Sequence, residues 1–126
     1  MKETKRSTRT VGALGEDLGE RFLKQRGYQI IARNVRSPFG EIDAVAFHQR
    51  TLVFIEIKTR SSQSFGLPEE ALTHDKRKRL IRLASWYLTR PRQPLWDIRF
   101  DVLAVDMSGD IPQFRLLENA FELEKS

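Results

Sequence analysis

Residues 40–60 read GEIDAVAFHQRTLVFIEIKTR. Two runs with period-2 character, Glu41 to Phe47 and Leu52 to Thr59, flank the polar link His48-Gln49-Arg50-Thr51. That pattern predicts a β-hairpin. Side chains alternate across a strand, so Leu52, Phe54, Glu56 and Lys58 share one face of the second run while Val53, Ile55 and Ile57 share the other. By the same rule Glu41, Asp43, Val45 and Phe47 share a face of the first. A link centred between Gln49 and Arg50 pairs His48 with Thr51 and, counting outward, Asp43 with Glu56 and Glu41 with Lys58. A one-residue slip would set a polar face against an apolar one, so only slips by two compete, and these leave the acids diagonal neighbours.

Residues directly opposite have Cβ atoms about 4.5–5.5 Å apart, where like charges are destabilising. Asp43 and Glu56 therefore need neutralising. A divalent cation does this, since neighbouring carboxylates, water and substrate phosphate are the usual surroundings of Mg²⁺. Lys58, one step along from Glu56 on the same face, suits it to steer or deprotonate a water, and Asp with Glu-x-Lys is then a device for metal-assisted phosphodiester hydrolysis. Glu-x-Lys also occurs on exposed strands, where Glu56–Lys58 or Glu41–Lys58 is a surface ion pair worth under ~1 kcal/mol. What favours the catalytic reading is context. LVFIEIK is apolar enough for a central strand covered on both faces, and burying its two charges without purpose would be costly.

Outward from the hairpin, Leu14, Leu18 and Phe22, with Leu23 beside them, recur at helical spacing and predict a first helix from Gly12 to Arg26 that Gly27 stops. Tyr28 to Val35 reads as a strand. Pro68-Glu69-Glu70 is a helix start, and Leu72, Leu80, Leu83, Ala84, Tyr87 and Leu88 carry a second helix to about Thr89, with continuity between Ala71 and Lys76 in question. Asp97 to Val105 and, more weakly, Pro112 to Leu117 are strands. The order αβββαβ(β) predicts an α/β fold, a mixed central sheet flanked by helices. Residues 1–10 hold almost nothing to bury and are expected to form a flexible basic arm, leaving 11–126 as one domain.

The 126 residues carry a net charge of +5, which suits a polyanionic partner. No run approaches a membrane span, and the basic N-terminus is not followed by the apolar stretch of a secretory signal. Cytoplasmic location is the default expectation. The absence of cysteine removes disulfides, thiolate zinc sites and cysteine nucleophiles. With only His48 and His74 available, a metal would need oxygen ligands, which favours Mg²⁺ or Mn²⁺.

The segments GALGEDLGERFLKQRGY (12–28), ARNVRSPFGEIDAVA (32–46), LVFIEIKTR (52–60), the Lys76 helix, RFDVLAV (99–105) and NAF (119–121) resemble the YraN-like family of small, largely uncharacterised bacterial proteins. That family is similar to archaeal Holliday junction resolvases and, more widely, to restriction-endonuclease-like nucleases. The resemblance spans about Gly12 to Phe121 and implies the αβββαβ nuclease core. It maps the nuclease motif onto Glu16 in the first helix, Asp43, and Glu56 with Lys58, with Glu16, Asp43 and Glu56 as metal ligands. Gly19 departs from the family's usual alanine and should weaken its helix by up to ~1 kcal/mol.

Glu20, one turn from Glu16, reads as a solvated charge. Glu41 is a spare ligand or an ion-pair partner of Lys58. Lys76 shares the apolar face of its helix with Leu80, where it either snorkels along the core or holds a phosphate, the role the family pattern favours. Arg60, Lys76, Arg77, Lys78 and Arg79, with Arg90 and Arg92, are candidate phosphate contacts, although charge runs are usually solvated helix faces. Trp86 is a candidate stacking surface, His74 a loop or cap residue and His48 a turn residue. The expected function is a Mg²⁺- or Mn²⁺-dependent endonuclease acting on DNA, ahead of RNA, and on branched or structured DNA in particular. Cutting two strands would call for a homodimer. The alternatives are a nucleic-acid-binding module on a nuclease scaffold and a protein-interaction domain with a merely solubilising basic surface.

Overall fold

The hairpin forms where its alternation puts it, with Gln49 and Arg50, at φ 52° and 66°, making a two-residue turn of the kind that matches strand twist. In the computed structural model, which describes residues 11–61, 72–89 and 97–121, it is the centre of the fold. The elements run α1 (Val11–Gln25), β1 (Gln29–Ser37), β2 (Gly40–His48), β3 (Thr51–Arg60), α2 (His74–Leu88), β4 (Asp97–Asp106) and β5 (Gln113–Leu117). The sheet has five strands in the order β1-β2-β3-β4-β5. Only β3 and β4 run parallel, and α2 lies between them in the chain, as a parallel pair requires. The fold is the expected mixed α/β arrangement, compatible with an αβββαβ nuclease-like core.

The period-2 logic sorts the core into two halves. Leu52, Phe54, Phe100 and Val102 point from the sheet towards Leu80, Leu83, Ala84 and Tyr87 of α2. Val53, Ile55, Ile57, Leu103 and Val105 point the other way, towards Leu23 of α1. β3 is thus covered on both faces, and Phe54 at its centre is fully buried, worth ~3 kcal/mol for such a ring.

α1 departs from its predicted seam. Leu14 is exposed, and the buried positions are Gly15, Gly19 and Leu23, each one turn from the next. A Cβ on Gly15 would collide with the Thr59 side chain, and one on Gly19 would lie 3.1 Å from Leu103 Cδ2. At Gly15 the helix therefore comes closer to β3 than a side chain would allow. Gly27, at φ 90°, ends it as expected. The Tyr28 N–H returns to Leu23 O and the Gly27 N–H to Lys24 O, the paired closure of a Schellman motif.

The second helix also differs. Its described start is His74, where Thr73 in extended conformation accepts the Lys76 N–H on its hydroxyl. The Pro68 start lies outside the described residues, as do Arg90, Arg92 and the arm at 1–10. Leu72 and Thr73 are not helical, and this has a local cause, because a threonine hydroxyl that caps a helix end competes with carrying the helix through. No described helix is long and apolar enough to cross a membrane.

Candidate active site

The predicted β2–β3 register holds from His48↔Thr51 to Ala44↔Ile55 and stops there. One residue further, Asp43 does not pair with Glu56. Its Oδ2 instead accepts the backbone N–H of Ile57 at 2.6 Å. The neighbouring strand is irregular at the same level. Asn34 of β1, level with Asp43, has φ 52°, a left-handed conformation that asparagine tolerates. On both strands the alternation restarts at this level. Ile42 and Val45 lie together under α2, with Val35 packed against them, while Ala44 faces the α1 side. The expectation that Glu41 shares a face with Asp43 and pairs with Lys58 is therefore corrected. Glu41 is exposed beside Arg36, Nε to Oε2 3.8 Å.

The break turns Asp43 into the site. Burial first, and then the charge of Glu56, push its carboxyl up to about 6 against the opposing Ile57 hydrogen bond, with Glu16 adding to the rise and Lys76 reducing it. Glu56 is buried on the α2 face. Its Oε2 lies 3.3 Å from Lys58 Nζ and 2.5 Å from Lys76 Nζ. Lys76 thus does not simply snorkel. It crosses from the first turn of α2 to a carboxylate on β3. Glu16 is near enough to act on Asp43 but is bonded to Arg33, which gathers Glu16, Asp17 and Glu20 at 3.5, 3.0 and 2.9 Å. Glu20 also takes Lys24 at 3.0 Å.

Asp43, Glu56, Lys58 and Lys76 thus lie together at one end of the hairpin, and Glu16, held by Arg33, is near enough only to act on the charge of Asp43. Among the described residues no three of His, Cys, Asp and Glu stand close enough to hold a metal by themselves. The carboxylate pair Asp43 and Glu56 still fits Mg²⁺ or Mn²⁺, because such ions are usually held by one or two carboxylates plus water and substrate oxygens. Of the other basic residues, Arg79 is exposed one turn from Lys76 and Lys78 is exposed on α2. Arg77 turns back, its Nε donating to Leu72 O at 3.1 Å, and its guanidinium lies over the Phe121 ring at 5.8 Å. Arg60 closes β3, part-buried, and Trp86 packs part-buried against the core. His74 is exposed in the first turn of α2.

A second polar cluster escaped the sequence reading. His48, expected at a turn, is buried and stacks on Tyr28 with ring centroids 3.9 Å apart. Arg99 reaches His48 Nδ1 at 2.8 Å and donates to both oxygens of the buried Asp101 at 2.9 and 3.0 Å. Asp101 also accepts Tyr28 OH at 2.7 Å and the Asn119 N–H at 2.9 Å. Burial and the Asp101 bond push the Tyr28 hydroxyl up. The available signal was Arg-x-Asp within the apolar strand RFDVLAV, the same interruption that Glu-x-Lys makes in LVFIEIK.

Comparison with known proteins places the chain among relatives of its own size. The profile of Uncharacterised protein family UPF0102 matches residues 15–105. A UPF0102 protein of Symbiobacterium thermophilum is 47% identical over 115 residues, covering 90% of this chain and 98% of its own. One of Desulfosudis oleivorans is 43% identical over 111 residues, 88% and 89% of the two chains. Another, of Syntrophotalea carbinolica, is 40% identical over 115 residues, 91% and 94%. With the profile covering most of the chain and these relatives aligned nearly end to end, the protein belongs to UPF0102, the YraN-like family whose motifs its sequence carries.

Proposed function

We propose that this protein is a metal-dependent endonuclease that hydrolyses phosphodiester bonds in DNA. The observation that carries the reading is the meeting of two mutually repelling carboxylates with two lysines, Asp43 raised by burial and by Glu56, and Glu56 Oε2 between Lys58 and Lys76. Carboxylates under repulsion favour a cation, and lysines beside them favour an anion. A phosphodiester with Mg²⁺ or Mn²⁺ satisfies both.

Asp43 and Glu56 would hold the ion. Bound there, it supplies Lewis acidity towards a phosphoryl oxygen. Lys58 orients the attacking water and stabilises the negative charge that grows on the phosphoryl oxygens in the transition state. Lys76 binds a non-bridging phosphate oxygen, and Glu16 adds negative charge beside Asp43. Arg79 and Lys78 contact phosphates further along the strand.

The test is purified full-length protein with Mn²⁺ and a panel of linear, branched and single-stranded DNA. Wild type should cut at least one substrate, while Asp43→Asn and Lys58→Ala should not. Calorimetric Mn²⁺ binding should persist in Lys58→Ala and be lost in Asp43→Asn. Cleavage retained by either variant overturns the assignment. Salt-sensitive DNA binding without metal-dependent product in the wild type would support the non-catalytic binding module instead.

A further inference from the structure

A cleft of about 330 Å³ lies beside the site, between the β1–β2 turn and α2. Leu80 and Leu83 form its apolar floor, with Phe39 and Glu41 on the turn side and Lys76 and Arg79 on the helix side. Lys76 belongs to both places, since its Nζ bonds Glu56. Phe39 is 38% exposed. Its turn is built to hold it there, because Ser37 Oγ accepts the Phe39 N–H at 3.0 Å and donates to Gly40 O at 2.9 Å. Gly40 supplies φ 127°. An aromatic ring fixed at a cleft mouth over buried leucines, with two cations one helical turn apart, is complementary to a nucleotide, a flat apolar base flanked by phosphates. Glu41 offers an acceptor for a base amine. A base within a duplex is stacked and paired, so it cannot offer its face to Phe39. An unpaired one can.

We infer that this cleft binds an unpaired nucleotide adjoining the scissile phosphate, stacked on Phe39, so that the substrate is DNA with a single-stranded segment at the cut rather than continuous duplex. The inference rests on the reading of the Glu56 site as a phosphodiester-cutting site and specifies the substrate class of that site.

The test is fluorescence anisotropy at fixed salt in EDTA, with the full chain and three DNAs: a duplex carrying a short single-stranded tail with 2-aminopurine as its first unpaired base, the same strand alone, and the fully paired duplex. Wild type should prefer both DNAs with an unpaired base, and binding should quench the 2-aminopurine. Phe39→Ala should weaken binding of the tailed DNA by about fivefold to a hundredfold, the range expected for losing one base–aromatic stack. It should abolish the quench and leave the paired duplex unaffected, while Phe39→Trp should retain all three properties. Ile111→Ala, at an exposed apolar residue on the β4–β5 connection, should change nothing. Equal loss on tailed and paired DNA, or no more loss than in Ile111→Ala, overturns the inference. The Mn²⁺ cleavage assay separates the two readings. If wild type and Phe39→Ala cut paired and tailed DNA alike, the cleft inference fails while the nuclease stands. If nothing is cut but tail binding depends on Phe39, the cleft stands and the catalytic reading fails.

Discussion

Asp43→Asn is the perturbation for which structure and electrostatics give a signed magnitude. The side chain caps the frayed end of the β2–β3 ladder by accepting the Ile57 N–H, and asparagine keeps an oxygen for that bond while removing the charge. Raising the aspartate from 3.8 to about 6 means that its ionised form costs the fold at most ~3 kcal/mol. The stability tied to the protonated carboxyl is complete below the unfolded value of 3.8 and is lost as pH rises through 6. The folded state holds the proton longer than the unfolded state over that window, so stability falls with rising pH. In EDTA, then, Asp43→Asn should match wild type near pH 4 and exceed it at pH 7.5, by up to ~10 °C in Tm for a chain of this length. Urea denaturation and thermal melts across this range measure the gap. Millimolar Mn²⁺ should narrow it by stabilising wild type alone. A variant no more stable than wild type at pH 7.5, or a gap that is the same at every pH, refutes the reasoning.

Other substitutions probe the frame around the site. Gly15→Ala drives a methyl into Thr59 and should cost about 1–3 kcal/mol in urea denaturation. Gly19→Ala presses only on the end of the Leu103 side chain, meets Ile57 at an ordinary 3.5 Å and regains helix propensity, so its change should stay within ~1 kcal/mol. Asp101→Ala strips Arg99, Tyr28 and the Asn119 N–H of their shared acceptor, and breaking such a buried pair should cost about 3–5 kcal/mol. Thr73→Ala removes the α2 cap and should lower stability by ~1 kcal/mol, and it should reduce cleavage as well, since Lys76 is in the first turn that the cap fixes.

Much of this protein is readable along one dimension, because the relevant physics is local. Period-2 runs determined the strands and, outside Glu41 to Asp43, the faces of the hairpin, the centred link determined the hairpin register from His48 to Ala44, and Gly27 determined where α1 ends. The charges interrupting LVFIEIK mark Glu56 and Lys58 from the sequence alone. Tertiary structure decided what depends on distant partners. The β2–β3 ladder ends before Asp43, level with the left-handed Asn34, the Asp43 carboxylate takes the Ile57 N–H, and Glu41 is exposed beside Arg36. Lys76 reaches Glu56 across a chain separation that no periodicity spans. Two glycines, which look like defects in a helix read alone, let α1 lie against β3, and the α1–β1 link, β2, β4 and the chain after β5 supply the Tyr28–His48–Arg99–Asp101 cluster. Residues within a few positions of one another set strand faces and helix ends, but a buried charge takes whatever partner the packed layers bring to it.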